Sequence, residues 1–240
     1  EEINVLARAF NQMSDRIRRL LDKTRQEQKN LRELELRLHQ EQISPHFLYN
    51  TLDSIVWMAE GGNNRQVVEM TTDLSDFFRT VLSGGRDFIT IEEEESHIRS
   101  YLKIQKIRYE DILDYSIEIE PSIRHRIVLK MLLQPLVENA IIHGISPGSQ
   151  GGRIHIRSWM RGRRLWISVA DTGEGLDEDK LEKIKRALKE GDGSGVGIGL
   201  GNIARRLKAM YEDGEVRIES RKGCATVVQL AFTPENCKED

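Results

Sequence analysis

Only two cysteines occur in 240 residues, which excludes a disulfide-built scaffold. Cys224 and Cys237 form no C-x-x-C pair and read as incidental reduced thiols of a reducing compartment. No apolar run is long enough to span a bilayer, and no stretch has the form of a signal peptide. A strong excess of one charge is also missing. The net charge of -3 gives no argument for nucleic acid or anionic lipid as the main partner. An initiator Met is absent too, and helical periodicity is already running at Glu1, so the expectation is a fragment of a longer protein. What is present is a high charged fraction, 31%, beside 38% hydrophobic residues, as suits long exposed helices in one or two domains.

Residues 1 to about 60 read as nearly continuous helix. Ile3, Leu6, Phe10, Met13, Ile17, Leu20, Leu31, Leu34 and Leu38 keep one heptad frame, with a polar middle at Thr24 and Glu27. That predicts a parallel coiled coil and a homodimer. Pro45 then sits inside the helical pattern, where it costs roughly 3 kcal/mol. Gln42, His46 and Asn50 are four apart and share a face, so one explanation for the kink is that it presents His46 for phosphorylation. By itself a Pro-His pair is more often a packed histidine beside a kink. Gly61-Gly62-Asn63-Asn64 breaks the helix. A second helix is predicted over 65–82, burying Val67, Val68, Met70, Leu74, Phe77, Phe78 and Val81. The two would form an antiparallel hairpin, and two hairpins a four-helix bundle. Thr90-Ile91-Glu92-Glu93 has the form of a capping box opening a third helix to about Tyr109.

From about Asp114 the texture changes. Strands are expected over 115–120, 153–160, 165–170, 215–220 and 225–232, and helices over 128–144, 177–188 and 202–211. This order gives a mixed sheet covered on one face by helices. Three motifs fall in it. Glu138 and Asn139 offer adjacent oxygens that suit a hydrated Mg²⁺, and His143 lies one turn on; a solvated helix face explains them equally well. Asp171, Gly173 and Gly175 follow a strand, where a buried aspartate could accept from the amine of adenine, though a simple turn is the commoner reading. Gly195, Gly197, Gly199 and Leu200 lead into a helix, as in a phosphate cradle or a flexible linker. That third motif has neither the Gly-Lys-Ser of a P-loop nor a convincing dinucleotide fingerprint.

Together and in this order, the motifs of residues 128–232 resemble the ATP-binding domain shared by histidine kinases, type II topoisomerases, Hsp90 and MutL, the GHKL or Bergerat fold. Gln42-Ile-Ser-Pro-His-Phe-Leu-Tyr-Asn-Thr-Leu52 resembles the phosphoacceptor segment of the LytS/YesM-type sensor histidine kinases, and Tyr101–Tyr109 resembles their connecting helix. Residues 1–20 resemble the last helix of a HAMP module. The resemblance implies residues 1–22 as the end of a signalling helix, 23–110 as coiled coil and dimerisation/phosphotransfer domain, and 111–240 as the catalytic α/β sandwich. It implies autophosphorylation of His46, oriented by Gln42 and Asn50, then transfer to an aspartate of a response regulator receiver domain. ATP would meet Asp171 at adenine, with Asn139, His143, Gly173, Gly175, Gly195, Gly197, Gly199, Leu200 and Arg206 around it and Mg²⁺ on Glu138 and Asn139. It also implies the cytoplasmic portion of a bacterial membrane receptor, whose transmembrane region would precede Glu1. Phe47 stands where commoner histidine kinases carry an acidic base, which leaves the base open. No phenylalanine box is evident, and Asp-Thr-Gly replaces the frequent Asp-Asn-Gly. Two alternatives are a nucleotide-binding dimeric scaffold without kinase activity and another GHKL-type ATPase or serine kinase. The latter lack the helical hairpin of residues 39–82.

Overall fold

A computed structural model describes residues 45–81, 86–109, 112–145, 151–190 and 198–234. The expected coiled coil, the HAMP-like segment and Gln42 lie outside the described residues. The chain divides into two compact units, residues 1–54 and 55–240. No helix among the described residues is long and apolar enough to cross a membrane.

The first unit contributes the start of α1 (Pro45–Glu60). Phe47 and Thr51 are buried on one side, and Thr51 Oγ1 donates to the Phe47 carbonyl at 2.7 Å.

In the second unit the chain turns at Gly61–Asn63, with Gly62 at φ 73°, a left-handed conformation that glycine adopts without strain. Helix α2 (Asn64–Val81) buries Met70, Asp73, Leu74 and Phe77, an i, i+3, i+4, i+7 stripe. Val68, expected inside, is 64% exposed. This stripe packs on α3 (Ile91–Arg108), where Asp73 accepts from Lys103 Nζ at 3.0 Å. The capping box that opens α3 is present in full: Thr90 Oγ1 accepts from Glu93 N, and the Glu93 carboxylate from Thr90 N. Ile98, Tyr101, Leu102, Ile104 and Gln105, expected to face the rest of the protein, are all buried.

Two short strands, β1 (Phe88–Thr90) and β3 (Ile127–Leu129), pair antiparallel. The main sheet contains β2 (Leu113–Ile119), β4 (Gly152–Arg161), β5 (Arg164–Asp171), β6 (Glu215–Arg221) and β7 (Ala225–Phe232). Their order is β2-β4-β5-β7-β6; β2 and β4 run parallel and the rest antiparallel. Tight turns at Gly162 (φ 66°) and Gly223 (φ 72°) close the two hairpins. Alternation sends Ile154, Ile156, Leu165, Ile167 and Val169 inward, beneath α3, α4 (Leu133–Asn139), α5 (Glu178–Glu190) and α6 (Ile198–Met210). The opposite face carries the stacked Trp159 and Trp166, with Arg157 and Arg217 over the rings.

One expectation is corrected. The helix read over 128–144 is instead strand β3, a turn at Met131 (φ 59°), α4, and a π-helical turn over Ala140–Gly144. Pro135 gives the reason. As the third residue of α4 it costs nothing, whereas in a helix begun at 128 its ring would clash with an earlier carbonyl.

Candidate functional site

The three motifs of the second unit meet, two of them backbone to backbone and the third through a side chain. Helix α4 carries Glu138 and Asn139 at its end and then widens to i→i+5 bonding, a device common at functional sites. The widening brings Gly144 against the end of β5. A Cβ on Gly144 would stand 2.5 Å from Asp171 Oδ1, and one on Gly173 would stand 2.0 Å from the Gly144 carbonyl oxygen. The π turn that follows Glu138 and Asn139 and the first glycine motif therefore touch backbone to backbone. Gly173→Ala should cost about 3 kcal/mol, the upper range for overpacking. Gly199→Ala, whose Cβ would meet Asn139 at an ordinary 3.4 Å, serves as the tolerated control. Thermal melts of both variants check this, and equal Tm values would contradict the close contact.

Asp171 is 6% exposed, at the strand end beside Ile154 and Thr226. Its Oδ1 accepts from Gly173 N at 2.9 Å. Burial pushes its carboxyl above the usual aspartate range, against the backbone N–H groups of Gly173 and Thr226. Thr172 ties the same corner to β4, its hydroxyl accepting from Arg153 N at 2.9 Å. Gly175, at φ 64°, leaves room for the Arg221 carbonyl, where a Cβ would fall 2.1 Å away. The spacing of these glycines suggests a ligand beside them; in the fold, the space beside Gly173 and Gly175 is taken by protein backbone.

Glu138 is half-buried, and desolvation raises its carboxyl above the ordinary range, opposed by a bond from Gln134 Nε2 to Oε1 at 2.8 Å. Asn139 lies against the start of α6, its Nδ2 3.4 Å from the Cβ position of Gly199. The second glycine motif thus adjoins the first through α4, and Leu200 is buried there. Among the described residues α6 is already helical at Ile198, four residues before the expected start, so Gly199 and Leu200 are helical. Gly195 and Gly197 lie outside the described residues. His143 sits exposed on the π turn. Arg206 makes a different contact from the one expected. Its Nη2 donates to the Lys130 carbonyl at 2.7 Å, close to the Glu94 and Asp87 carboxylates.

The donor set suits a magnesium nucleotide. Mg²⁺ takes one or two protein oxygens and completes its shell with phosphate and water. Glu138 and Asn139 supply such oxygens side by side at the end of α4. Among the described residues no cluster of three or more His, Cys, Asp or Glu forms a closed metal cage.

In the first unit His46 is exposed, and the Asn50 amide nitrogen lies 3.0 Å from His46 Nε2. An amide N–H can only donate, so Nε2 holds the lone pair and Nδ1 the proton.

Sequence reading missed Glu94, and His97 with Gln134 as its partner. The available signal was polarity on an apolar stripe: Ile91, Glu94, Ile98, Tyr101 and Gln105 follow one helical face, and Glu94 and His97 are 1% and 0% exposed.

A family profile described as histidine kinase matches residues 34–113, and one described as histidine kinase-, DNA gyrase B-, and HSP90-like ATPase matches residues 125–236. Sensor histidine kinase YesM of Bacillus subtilis (strain 168) is 33% identical over 233 residues, 96% of this chain and 39% of that protein. Sensor histidine kinase/phosphatase LytS of Staphylococcus aureus (strain MRSA252) is 33% identical over 76% of this chain and 31% of its own length. The chain thus spans less than half of either relative. Among solved structures, the histidine kinase domain of a blue-light activated kinase from Erythrobacter litoralis aligns over 82% of this chain and 92% of its own, at 18% identity and TM-score 0.47.

Proposed function

This chain belongs to the histidine kinases, and from that membership we propose that it is the phosphotransfer and ATP-binding portion of a two-component sensor. Residues 23–110 dimerise and carry the phosphoacceptor, and residues 111–240 bind ATP. Residues 1–22 bring the signal from a receptor part in the membrane. The observation that carries this reading is the convergence of three distant motifs: Asn139 beside Gly199, and Gly144 against Asp171 and Gly173.

Asp171 accepts from the amine of adenine. Glu138 and Asn139 hold Mg²⁺, which supplies neutralising charge to the phosphates. Phosphoryl transfer of this kind needs positioning and charge neutralisation more than reactive side chains. His46 Nε2 attacks as the unprotonated nitrogen that the Asn50 contact selects. The nitrogen–phosphorus bond forms as the phosphorus–oxygen bond to ADP breaks, and the Nδ1 proton leaves to water. The attacking atom carries no proton, so Phe47 in place of an acidic residue is no obstacle. Phosphohistidine then donates its phosphoryl group to an aspartate of a receiver domain.

The test is incubation with radiolabelled ATP and Mg²⁺, followed by acid and alkali treatment. Acid-labile, alkali-stable label is expected. Acid-stable label would point to a serine kinase, and nucleotide binding without label to a scaffold.

A further inference from the structure

Helix α4, which carries Glu138 and Asn139, is held by α3 at its first turn through two side chains. At its start the buried Glu94 carboxylate accepts from Met131 N at 2.9 Å and Leu133 N at 2.8 Å. A carboxylate here satisfies amides that the helix cannot, and it compensates the left-handed turn at Met131. From Gln134, in the same turn, a two-step relay reaches Glu138 near the helix end. His97 Nε2 lies 2.7 Å from Gln134 Oε1, and Gln134 Nε2 donates to Glu138 Oε1 at 2.8 Å.

The direction of this relay is determined. A carboxylate oxygen accepts only, so Gln134 must turn its NH₂ to Glu138 and its carbonyl to His97. That carbonyl in turn requires the proton of His97 on Nε2. His97 and Gln134 are 0% and 3% exposed, so neither could exchange its partner for water. The His97 ring also stacks on Phe77 of α2, with centroids 4.6 Å apart and planes at 22°, and Phe77 is fully buried. Two buried polar side chains in an apolar interface are costly compared with a hydrophobic pair of like volume. Here the cost is offset by the order they impose. Among the described residues, His97 Nδ1 is left with no hydrogen-bond partner, so the ring is not placed to satisfy its own polarity. Its one bond holds Gln134.

We propose that His97 and Gln134 are positioning residues that orient the Glu138 carboxylate toward the nucleotide's metal ion. The packing of α2 on α3 at Phe77 thereby sets the affinity of the site for Mg²⁺-nucleotide. Gln134 fixes one carboxylate oxygen and so leaves the other in a single orientation. Partners of this kind behind a metal ligand typically govern about 10–100-fold in metal affinity. The inference rests on Glu138 as a Mg²⁺ ligand.

The experiment is binding of a fluorescent ATP analogue to this chain, titrated with Mg²⁺ and repeated in EDTA. Gln134→Leu, which removes both bonds, should raise the Mg²⁺ concentration for half-maximal binding about tenfold. His97→Phe keeps the stack and removes the donor, and should raise it about threefold or more by the same principle. His97→Gln keeps a donor and should restore most of the wild-type value. Binding in EDTA should change less than about twofold in all three, because metal-free nucleotide does not call on Glu138. A loss of equal size with and without Mg²⁺ overturns the proposal, since a merely structural role would weaken both. Should Gln134→Leu unfold, His97→Phe and its His97→Gln rescue carry the test. Glu138→Gln separates the two layers. If it shifts the Mg²⁺ requirement and the relay variants do not, the relay fails alone. If neither shifts it, the assignment of Glu138 falls and the relay with it.

Discussion

Replacing His46 by glutamine should abolish labelling from ATP while leaving nucleotide affinity within about twofold, as expected when chemistry is removed without touching the binding groups. Glutamine keeps good helix propensity at the exposed position, so α1 should form unchanged. Its amide nitrogen has no available lone pair, so nothing at position 46 can attack phosphorus. Asn50→Ala should act more mildly. It removes the N–H that lies 3.0 Å from Nε2, which frees the ring to rotate and its proton to move to Nε2. A misplaced nucleophile costs up to about 100-fold, and an exposed single hydrogen bond should account for about tenfold of that. Single-turnover labelling of the two variants checks both. Label retained in His46→Gln would move the acceptor elsewhere. Full rate in Asn50→Ala would show that the contact selects nothing.

Much of this fold was legible because local patterns and tertiary demands agree. The hairpin of β4 and β5 follows from two strand-like runs on either side of the turn at Gly162, and Thr90–Glu93 caps α3 as its spacing foretold. Where tertiary contacts dominate, the pattern misled. Ile127–Leu129 is a three-residue apolar run that merges with the following helix, and only pairing with the distant Phe88–Thr90 makes it a strand. Met131 in a left-handed conformation carries no sequence mark, because it is sustained by the Glu94 carboxylate 37 residues away. The residues proposed to meet the nucleotide and its metal, Glu138, Asn139 and Asp171, stood out as polar breaks in apolar segments. The groups behind them did not. Arg206 looked like a phosphate contact on charge alone, yet one of its guanidinium N–H groups is engaged by the Lys130 carbonyl 76 residues away, which the sequence does not signal. Gly173 and Gly175 looked like ligand glycines, yet chain packing already demands them.

Asp171→Asn should lower nucleotide affinity by about 100-fold, since a buried hydrogen bond involving a charged group contributes up to roughly 3 kcal/mol. The carboxylate is surrounded by donors: Gly173 N at 2.9 Å, the Thr226 backbone, and in the complex the amine of adenine. An asparagine of the same shape must face one of them with its own NH₂, donor against donor. The same substitution should alter the pH dependence of stability in a defined sense. Burial raises the folded-state pKa of Asp171 above its ordinary value of 3.8, so the folded protein binds this proton more tightly than the unfolded chain does. The resulting stabilisation is fully present below the unfolded value and is lost as pH rises through the raised folded value. The asparagine side chain of the variant does not titrate and lacks this dependence. The stability of wild type minus variant should therefore decline on going from about pH 3.5 toward neutrality, roughly the span over which a raised aspartate titrates. Denaturant melts at several pH values give the difference curve, and displacement of a fluorescent nucleotide at neutral pH gives the affinity. A difference that rises with pH would mean that hydrogen bonds outweigh burial at this carboxylate. An affinity within about threefold of wild type, less than one weak hydrogen bond contributes, would remove Asp171 from adenine recognition.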